Sequence, residues 1–149
     1  MLHSLDAQLV LPLPIDMVFA FFADATNLER ITPPELKFKI LTPTPIDIRT
    51  GTLIDYQLGL FFLKFGWRTE IREWNPPHHF VDVQLKGPYK QWIHCHEFTP
   101  IPGGTRITDH VDYELPLSPL GDVALPIIKL QLGRIFRYRT EATRQLLLQ

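Results

Sequence analysis

Phe80–Pro116, FVDVQLKGPYKQWIHCHEFTPIPGGTRITDHVDYELP, reads as three successive β-strands joined by turns at Gly87-Pro88 and Pro102-Gly103-Gly104. In its last strand Ile107, Asp109, Val111, Tyr113 and Leu115 share one face, and Arg106, Thr108, His110, Asp112 and Glu114 share the other. The second face is wholly polar and must meet water. Asp109 therefore falls on the buried face, among aliphatic and aromatic neighbours. A buried carboxylate is costly unless it is paired or hydrogen-bonded.

The preceding strand offers partners. His94 and His96 share a face with Trp92 and Phe98, while Tyr89, Gln91, Ile93, Cys95 and Glu97 take the other. A hairpin closing near Pro102-Gly103 sets either His96 or His94 directly opposite Asp109, with Cβ atoms about 5 Å apart. Asp82 and Gln84 share the parity of Phe80 and join the same face if Gly87-Pro88 makes a regular turn.

Upstream, His3–Leu11 alternates as a first strand that Pro12 and Pro14 end. Asp16–Ala25 carries Val18, Phe19 and Phe22 at helical spacing. A second short helix covers Ala25–Ile31, and Thr32-Pro33-Pro34 stops it. Leu36–Leu41 reads as a strand, and Gly51 opens another with Ile54, Tyr56, Leu58 and Leu60 on one face. Phe61–Phe65 is a hairpin tip. In the strand that follows, Trp67, Thr69 and Ile71 oppose Arg68, Glu70 and Arg72. After Pro116, Ser118 is the expected N-cap of a helix running to Gln149, with Pro126 kinking or breaking it early. Its apolar stripe includes Ile128, Leu132, Ile135, Phe136, Leu146 and Leu147. Antiparallel strands that end in a long amphipathic helix imply an α+β fold, a single domain over 1–149 in which about seven strands curl around that helix and leave a cavity.

Composition excludes some classes. Fifteen basic and 16 acidic residues leave a formal net charge of −1, which gives no reason to expect nucleic acid or an anionic-membrane protein. The late basic residues Lys129, Arg134, Arg137, Arg139 and Arg144 read as a solvated helix face. Cys95 is the only cysteine, so no intrachain disulfide or multi-cysteine metal site can form. Neither a signal peptide nor a membrane-spanning run of about 20 apolar residues is evident, and a cytoplasmic location without membrane insertion is expected. No serine-triad arrangement, phosphate loop or dinucleotide fingerprint is present.

The element order and a set of short motifs resemble the START-like superfamily, also called SRPBCC or the birch-pollen-allergen helix-grip fold. The motifs are Val18-Phe19, Asn27-Leu28, Thr32-Pro33-Pro34, Trp67-Arg68-Thr69, Pro76-Pro77, Gly87-Pro88-Tyr89, His94 and His96, Gly103-Gly104-Thr105, Asp109, and Tyr138-Arg139. The resemblance is to a cyclase/dehydrase-like branch and covers almost the whole chain. It implies a hydrophobic ligand cavity. Relatives are labelled cyclase/dehydrase-like, lipid-transfer or coenzyme Q-binding, and some are joined to a nucleotide-sugar-epimerase-like domain.

Three readings of the polar cluster compete. The side chains can satisfy one another and fix the sheet register. They can form the polar end of a ligand cavity, with Tyr56, Trp67, Thr69, Asp82, Gln84, Trp92, Val111, Tyr113, Leu132 and Phe136 as binding residues. There, His94, His96 and Asp109 could also do acid–base work of a cyclase, dehydratase or isomerase type. Thirdly, His-x-His with Asp109 or Asp82 could bind metal, but the spacing is a weak signal, and neither metal nor cofactor is expected. The leading expectation is a binder of a small hydrophobic molecule. An accessory role through a homodimer or partner enzyme is the remaining alternative. The apolar tip, Leu60–Phe65, could cover the cavity mouth, touch a membrane or make a dimer contact, and packing on the domain's own helices is the preferred expectation.

Overall fold

The computed structural model describes residues 1–117 and 120–149. The strands are β1 (Leu2–Leu11), β2 (Lys39–Ile40), β3 (Leu53–Leu60), β4 (Leu63–Asn75), β5 (His79–Lys86), β6 (Gln91–Ile101) and β7 (Gly104–Glu114). Helices α1 (Ile15–Ala23) and α2 (Asn27–Arg30) follow β1, and α3 (Leu125–Leu147) comes last. The seven strands form one antiparallel sheet in the order β1-β7-β6-β5-β4-β3-β2. This is the expected helix-grip architecture.

The register follows from side-chain alternation. Trp92, His94, His96 and Phe98 of β6 are buried, and the intervening residues are not. His96 lies opposite Asp109 and Phe98 opposite Ile107, which decides between the two registers that the hairpin allowed. On the other side of β6, His94 lies opposite Asp82. The β6–β7 turn closes on Gly103 at φ +82°, a left-handed conformation that costs glycine little. A Cβ on Gly104 would collide with the Leu11 carbonyl. β4 is 13 residues long and carries register shifts between Arg68 and Thr69 and between Ile71 and Glu73. Such bulges bend a strand and help the sheet curl.

Two clusters fill the concave face. In one, Phe19 of α1 meets Phe98, Trp74 and Phe80 at ring-centroid distances of 5.0, 5.2 and 6.0 Å. The other joins Leu58, Leu60, Trp67, Trp92 and Tyr113 of the sheet to Leu132 and Phe136 of α3.

Several local expectations are corrected. The strand expected over Leu36–Leu41 shrinks to Lys39–Ile40, because Pro34–Leu36 forms a 3₁₀ turn that ends on Lys37 at φ 48°. α1 stops at Ala23, since the Asp24 carboxylate accepts from the Thr26 amide at 3.0 Å and its hydroxyl at 2.6 Å, a turn that competes with the helix. Pro126 does not interrupt α3. It lies in the first turn, where its missing N–H has no helical partner to lose, and a 3₁₀ segment, Leu120–Ala124, precedes it. The N-cap expected at Ser118 lies outside the described residues. The tip packs only at its base: Leu60 is buried in the cluster that includes Leu132 and Phe136, and Phe65 packs against it, but Phe61 and Leu63 are exposed and Phe62 is wholly so.

Candidate functional site

A cavity of about 190 Å³ lies between the sheet and α3. β3 and β4 supply Ile54, Tyr56, Leu58, Leu60, Trp67, Thr69 and Ile71 to its walls, and α3 supplies Leu132, Ile135 and Phe136. Its lining also takes in Asp24, Ala25 and Asn27, at the α1–α2 connection. The polar atoms of the wall are satisfied locally. The Thr69 hydroxyl oxygen accepts from Trp67 Nε1 at 3.0 Å and shares a 3.0 Å hydrogen bond with the Tyr56 hydroxyl. Burial pushes the Tyr56 phenol well above its usual range, so it stays neutral.

The remaining polar groups lining the cavity from the strands and α3 are Asp82, His94, His96 and Arg139. Phe80, His96 and His94 form a column of stacked rings, with centroids 3.9 Å and then 3.6 Å apart. Each histidine bonds the carboxylate diagonal to it. His94 Nε2 donates to Asp109 Oδ1 at 2.7 Å, and His96 Nε2 donates to Asp82 Oδ2 at 2.5 Å. His96 Nδ1 also lies 3.3 Å from Asp109 Oδ1. Both nitrogens of His96 thus lie near carboxylates, which only accept, and Nδ1 also lies 3.5 Å from an Arg139 nitrogen, which only donates.

Burial alone would lower the His96 pKa, but the charge of Asp82, hydrogen bonds to Asp109 and Asp82 and the Asp109 charge raise it. His94 moves the other way: burial and the neighbouring His96 charge outweigh its bond to Asp109 and hold it below the usual imidazole value. Burial pushes Asp109 up, yet Arg139 and the two histidines pull it well below the ordinary carboxylate range. Asp82 is likewise held low, because His96, His94 and Arg139 together exceed the effect of burial. The two carboxylates, held ionised, thus face Arg139 and two histidines that differ: His96 keeps its proton to higher pH than an ordinary imidazole, and His94 gives it up at lower pH.

The structure brings together most of the predicted site. Tyr56, Trp67, Thr69, Asp82, Trp92, His94, His96, Leu132 and Phe136 all line the cavity. Asp109 sits behind the histidines, with 13% of its side chain exposed, and reaches the cavity only through them. Three predicted binding residues are not among the lining groups. Gln84 closes the β5–β6 turn, donating to the Tyr89 carbonyl at 2.7 Å and accepting from its amide at 3.2 Å. Val111 and Tyr113 are fully buried in the core.

Arg139 was read with the solvated basic residues and is instead part of the site. Its guanidinium lies 3.9 Å from Asp109 Oδ1, 3.5 Å from His96 Nδ1 and 5.4 Å from the Phe22 ring centre. Only 13% of the side chain is exposed. Helical spacing held the signal: Leu132, Phe136, Arg139 and Thr143 follow one another by three or four residues on one face. Of the described groups, Asp82, His94 and His96 could also hold a metal ion, with ligand atoms within 4.8 Å of one another. Arg139 beside them already supplies the positive charge that the carboxylates need.

Comparison with known proteins fits this geometry. A Streptomyces aromatase/cyclase superposes with a TM-score of 0.79 at 14% identity, covering 99% of this chain and 94% of that one. A major latex-like protein from Panax ginseng gives 0.68 at 12% identity, with 99% of each chain covered. A nucleoside-diphosphate sugar epimerase from Corynebacterium glutamicum gives 0.66 at 27% identity, covering 95% of this chain but 28% of that larger one. No curated protein matches the sequence significantly. The family model for polyketide cyclases/dehydrases and lipid transport matches residues 11–135, which takes in β2 to β7, α1, α2 and the first half of α3, and the chain belongs to that family.

Proposed function

We propose that this protein binds a small hydrophobic molecule in the cavity between the sheet and α3, with the polar end of the ligand turned toward His94, His96, Asp82 and Arg139. The observation that carries the reading is an apolar-walled cavity with one convergent polar cluster. Its size limits the ligand. About 190 Å³ exceeds the ~150 Å³ that accommodates benzene and falls short of the ~300–1,000 Å³ typical of drug-sized sites. One or two rings fit that space better than a long acyl chain. Charge limits it further. Arg139 and the histidines already have Asp82 and Asp109 as partners, so a neutral hydroxyl or carbonyl is favoured over a further carboxylate at the polar end. The test is native mass spectrometry of freshly expressed protein, with solvent extraction, followed by titration with a naphthol while Trp67 and Trp92 fluorescence is read. Saturable quenching that weakens in Leu132→Trp supports the proposal. Absence of both a co-purified compound and saturable naphthol binding would sink it.

A specific observation favours a second reading, an enzyme of the cyclase, dehydratase or isomerase type. Two adjacent histidines are shifted in opposite directions. A ring that gives up its proton readily beside one that holds it is the pairing that general acid–base chemistry uses. With its Nε2 proton held by Asp109, His94 keeps an Nδ1 lone pair as a base, while His96 supplies an acid. Asp109 positions both rings. His94→Gln keeps a donor toward Asp109 but removes the base. Turnover should be lost while naphthol binding persists. Recovery of every bound ring compound chemically unchanged from the wild-type protein would eliminate this reading.

A further inference from the structure

One end of the molecule is unusually apolar. The register places the β3–β4 tip, the starts of β1 and β6, the ends of β5 and β7, and the beginning of α3 at that end. The tip is a two-residue hairpin loop closed by Leu60 opposite Leu63. Its central residues, Phe61 and Phe62, have φ of 50° and 68°. Positive φ at both positions is the signature of a type I′ turn, which asparagine and glycine fill comfortably and large side chains do not. The chain therefore holds two phenylalanines in an unfavourable backbone conformation and exposes them both. Neither stability nor solubility accounts for that choice.

The 3₁₀ segment and the start of α3 add a second apolar surface: Leu120 and Val123 of the former and Ile127 and Leu130 of the latter all face solvent. Ile127 and Leu130 form a stripe on the side of α3 opposite Leu132 and Phe136. Exposed lysines lie at this end as well: Lys64 follows the tip and Lys86 ends β5, while Lys129, seven residues before Phe136, is on the opposite side of α3 from Ile127 and Leu130. The acids at this end are already engaged, Glu114 with the N-terminal amine and Lys90, and Asp122 with that amine and His3.

We propose that this end docks on an anionic lipid bilayer, with Phe61, Phe62 and the α3 stripe sunk into the interface and Lys64 and Lys86 against the headgroups. Aromatic and leucine side chains interleaved with lysine are what interfacial binding requires. A second copy of the chain fits less well, because symmetric contact would bring lysine against lysine. No helix among the described residues is long and apolar enough to cross a membrane, and the contact proposed is peripheral. It does not depend on what the cavity holds. The hairpin that bears the tip is also a cavity wall through Leu58 and Leu60, which would bring the cavity close to a lipid surface.

Flotation of the intact protein with phosphatidylcholine vesicles, with and without phosphatidylglycerol, tests this. Binding is expected on the mixed vesicles and should weaken with salt. The double variant Phe61→Asn/Phe62→Gly supplies the residues that a type I′ turn prefers. It should melt at an equal or higher temperature and yet bind at least ~10-fold more weakly, from the loss of two buried rings. Lys64→Glu/Lys86→Glu should bind more weakly and with less salt dependence. The proposal is overturned if the wild-type protein fails to float with the mixed vesicles, or if the Asn-Gly variant binds as well as wild type. It is also overturned if the wild-type protein is a dimer in sedimentation that the Asn-Gly variant dissolves, since a second copy then covers this end.

Discussion

The concave face of the sheet is packed differently at its two ends. Under α1, Phe19 reaches three rings of the sheet at 5.0–6.0 Å, with Leu9, Leu11, Val18 and Ile107 filling the remaining space. Under the middle of α3, rings of similar size surround a cavity. Trp67 packs stacked against Tyr56 at 5.8 Å and edge-on to Trp92 at 5.5 Å. These rings lean on one another within the sheet layer and, with Leu132 and Phe136, which they also touch, they line the cavity. The sheet contributes large apolar side chains at both ends, so the difference comes from what stands opposite. A short helix lies close on one end, and a long helix spans the other. A void forfeits the dispersion contacts that a facing layer would make. Keeping one is a cost that a purely structural core has no reason to bear. The polar cluster sits at the seam, where Phe80 touches both Phe19 and His96.

This contrast can be broken by mutation, and the largest effect should come from the seam. Asp109→Ala would leave Arg139 and His94 buried without their acceptor, and removing one member of a buried pair costs about 3–5 kcal/mol. A loss below about 1 kcal/mol in urea melts, the range of an exposed pair, would mean that the cluster is solvated and not a seam at all. Phe19→Ala at the packed end should cost about 3–4 kcal/mol, because the transfer loss and a new cavity add. Leu132→Ala at the hollow end should cost only about 2 kcal/mol, since its methyl groups already border empty space. Equal losses for Phe19→Ala and Leu132→Ala, measured with unchanged urea slopes, would show that the two ends do not differ in packing.

The smallest effect is in the pH dependence. The His96 pKa is raised in the folded state, so its contribution is complete below the unfolded value of about 6.5 and fades as pH rises through the folded pKa. That of His94 is lowered, so its contribution is complete above about 6.5 and fades as pH falls toward the folded pKa. Together they predict a shallow stability maximum near pH 6.5, roughly the model imidazole value. Asp82 and Asp109, held low in the fold, add a steeper loss once pH drops below the ordinary carboxylate range of about 4. Urea midpoints that climb steadily from about pH 5 to 9, the window in which imidazole titrates, would contradict the opposed shifts.

Much of the site was legible because strands alternate. The wholly polar face of Arg106–Glu114 fixed Asp109 inward, and the parity of Asp82, His94 and His96 then followed across two hairpins. Gln84 has the same parity, but parity says only which face a side chain takes. Its amide is drawn to the Tyr89 backbone, left unpaired by the turn. Val111 and Tyr113 also face inward, yet they lie where the face is filled. Arg139 was hidden by its basic neighbours, although its spacing from Phe136 and Thr143 put it on the inward stripe. The tip was misjudged because an apolar loop is ordinarily covered, and whether something covers it depends on elements distant in sequence.

The sequence by itself determined the element order and the face on which each strand residue lies, since those depend on periodicities of two and 3.6 residues and on turn chemistry, and its short motifs carried the resemblance to the family. Tertiary structure alone decided which of two registers the β6–β7 hairpin takes, which histidine bonds which carboxylate, and where the facing side chains meet or leave a cavity. Those outcomes depend on distances of a few ångströms between residues far apart in the chain, set by how strongly β4 bends and where α3 crosses, and no local pattern encodes them.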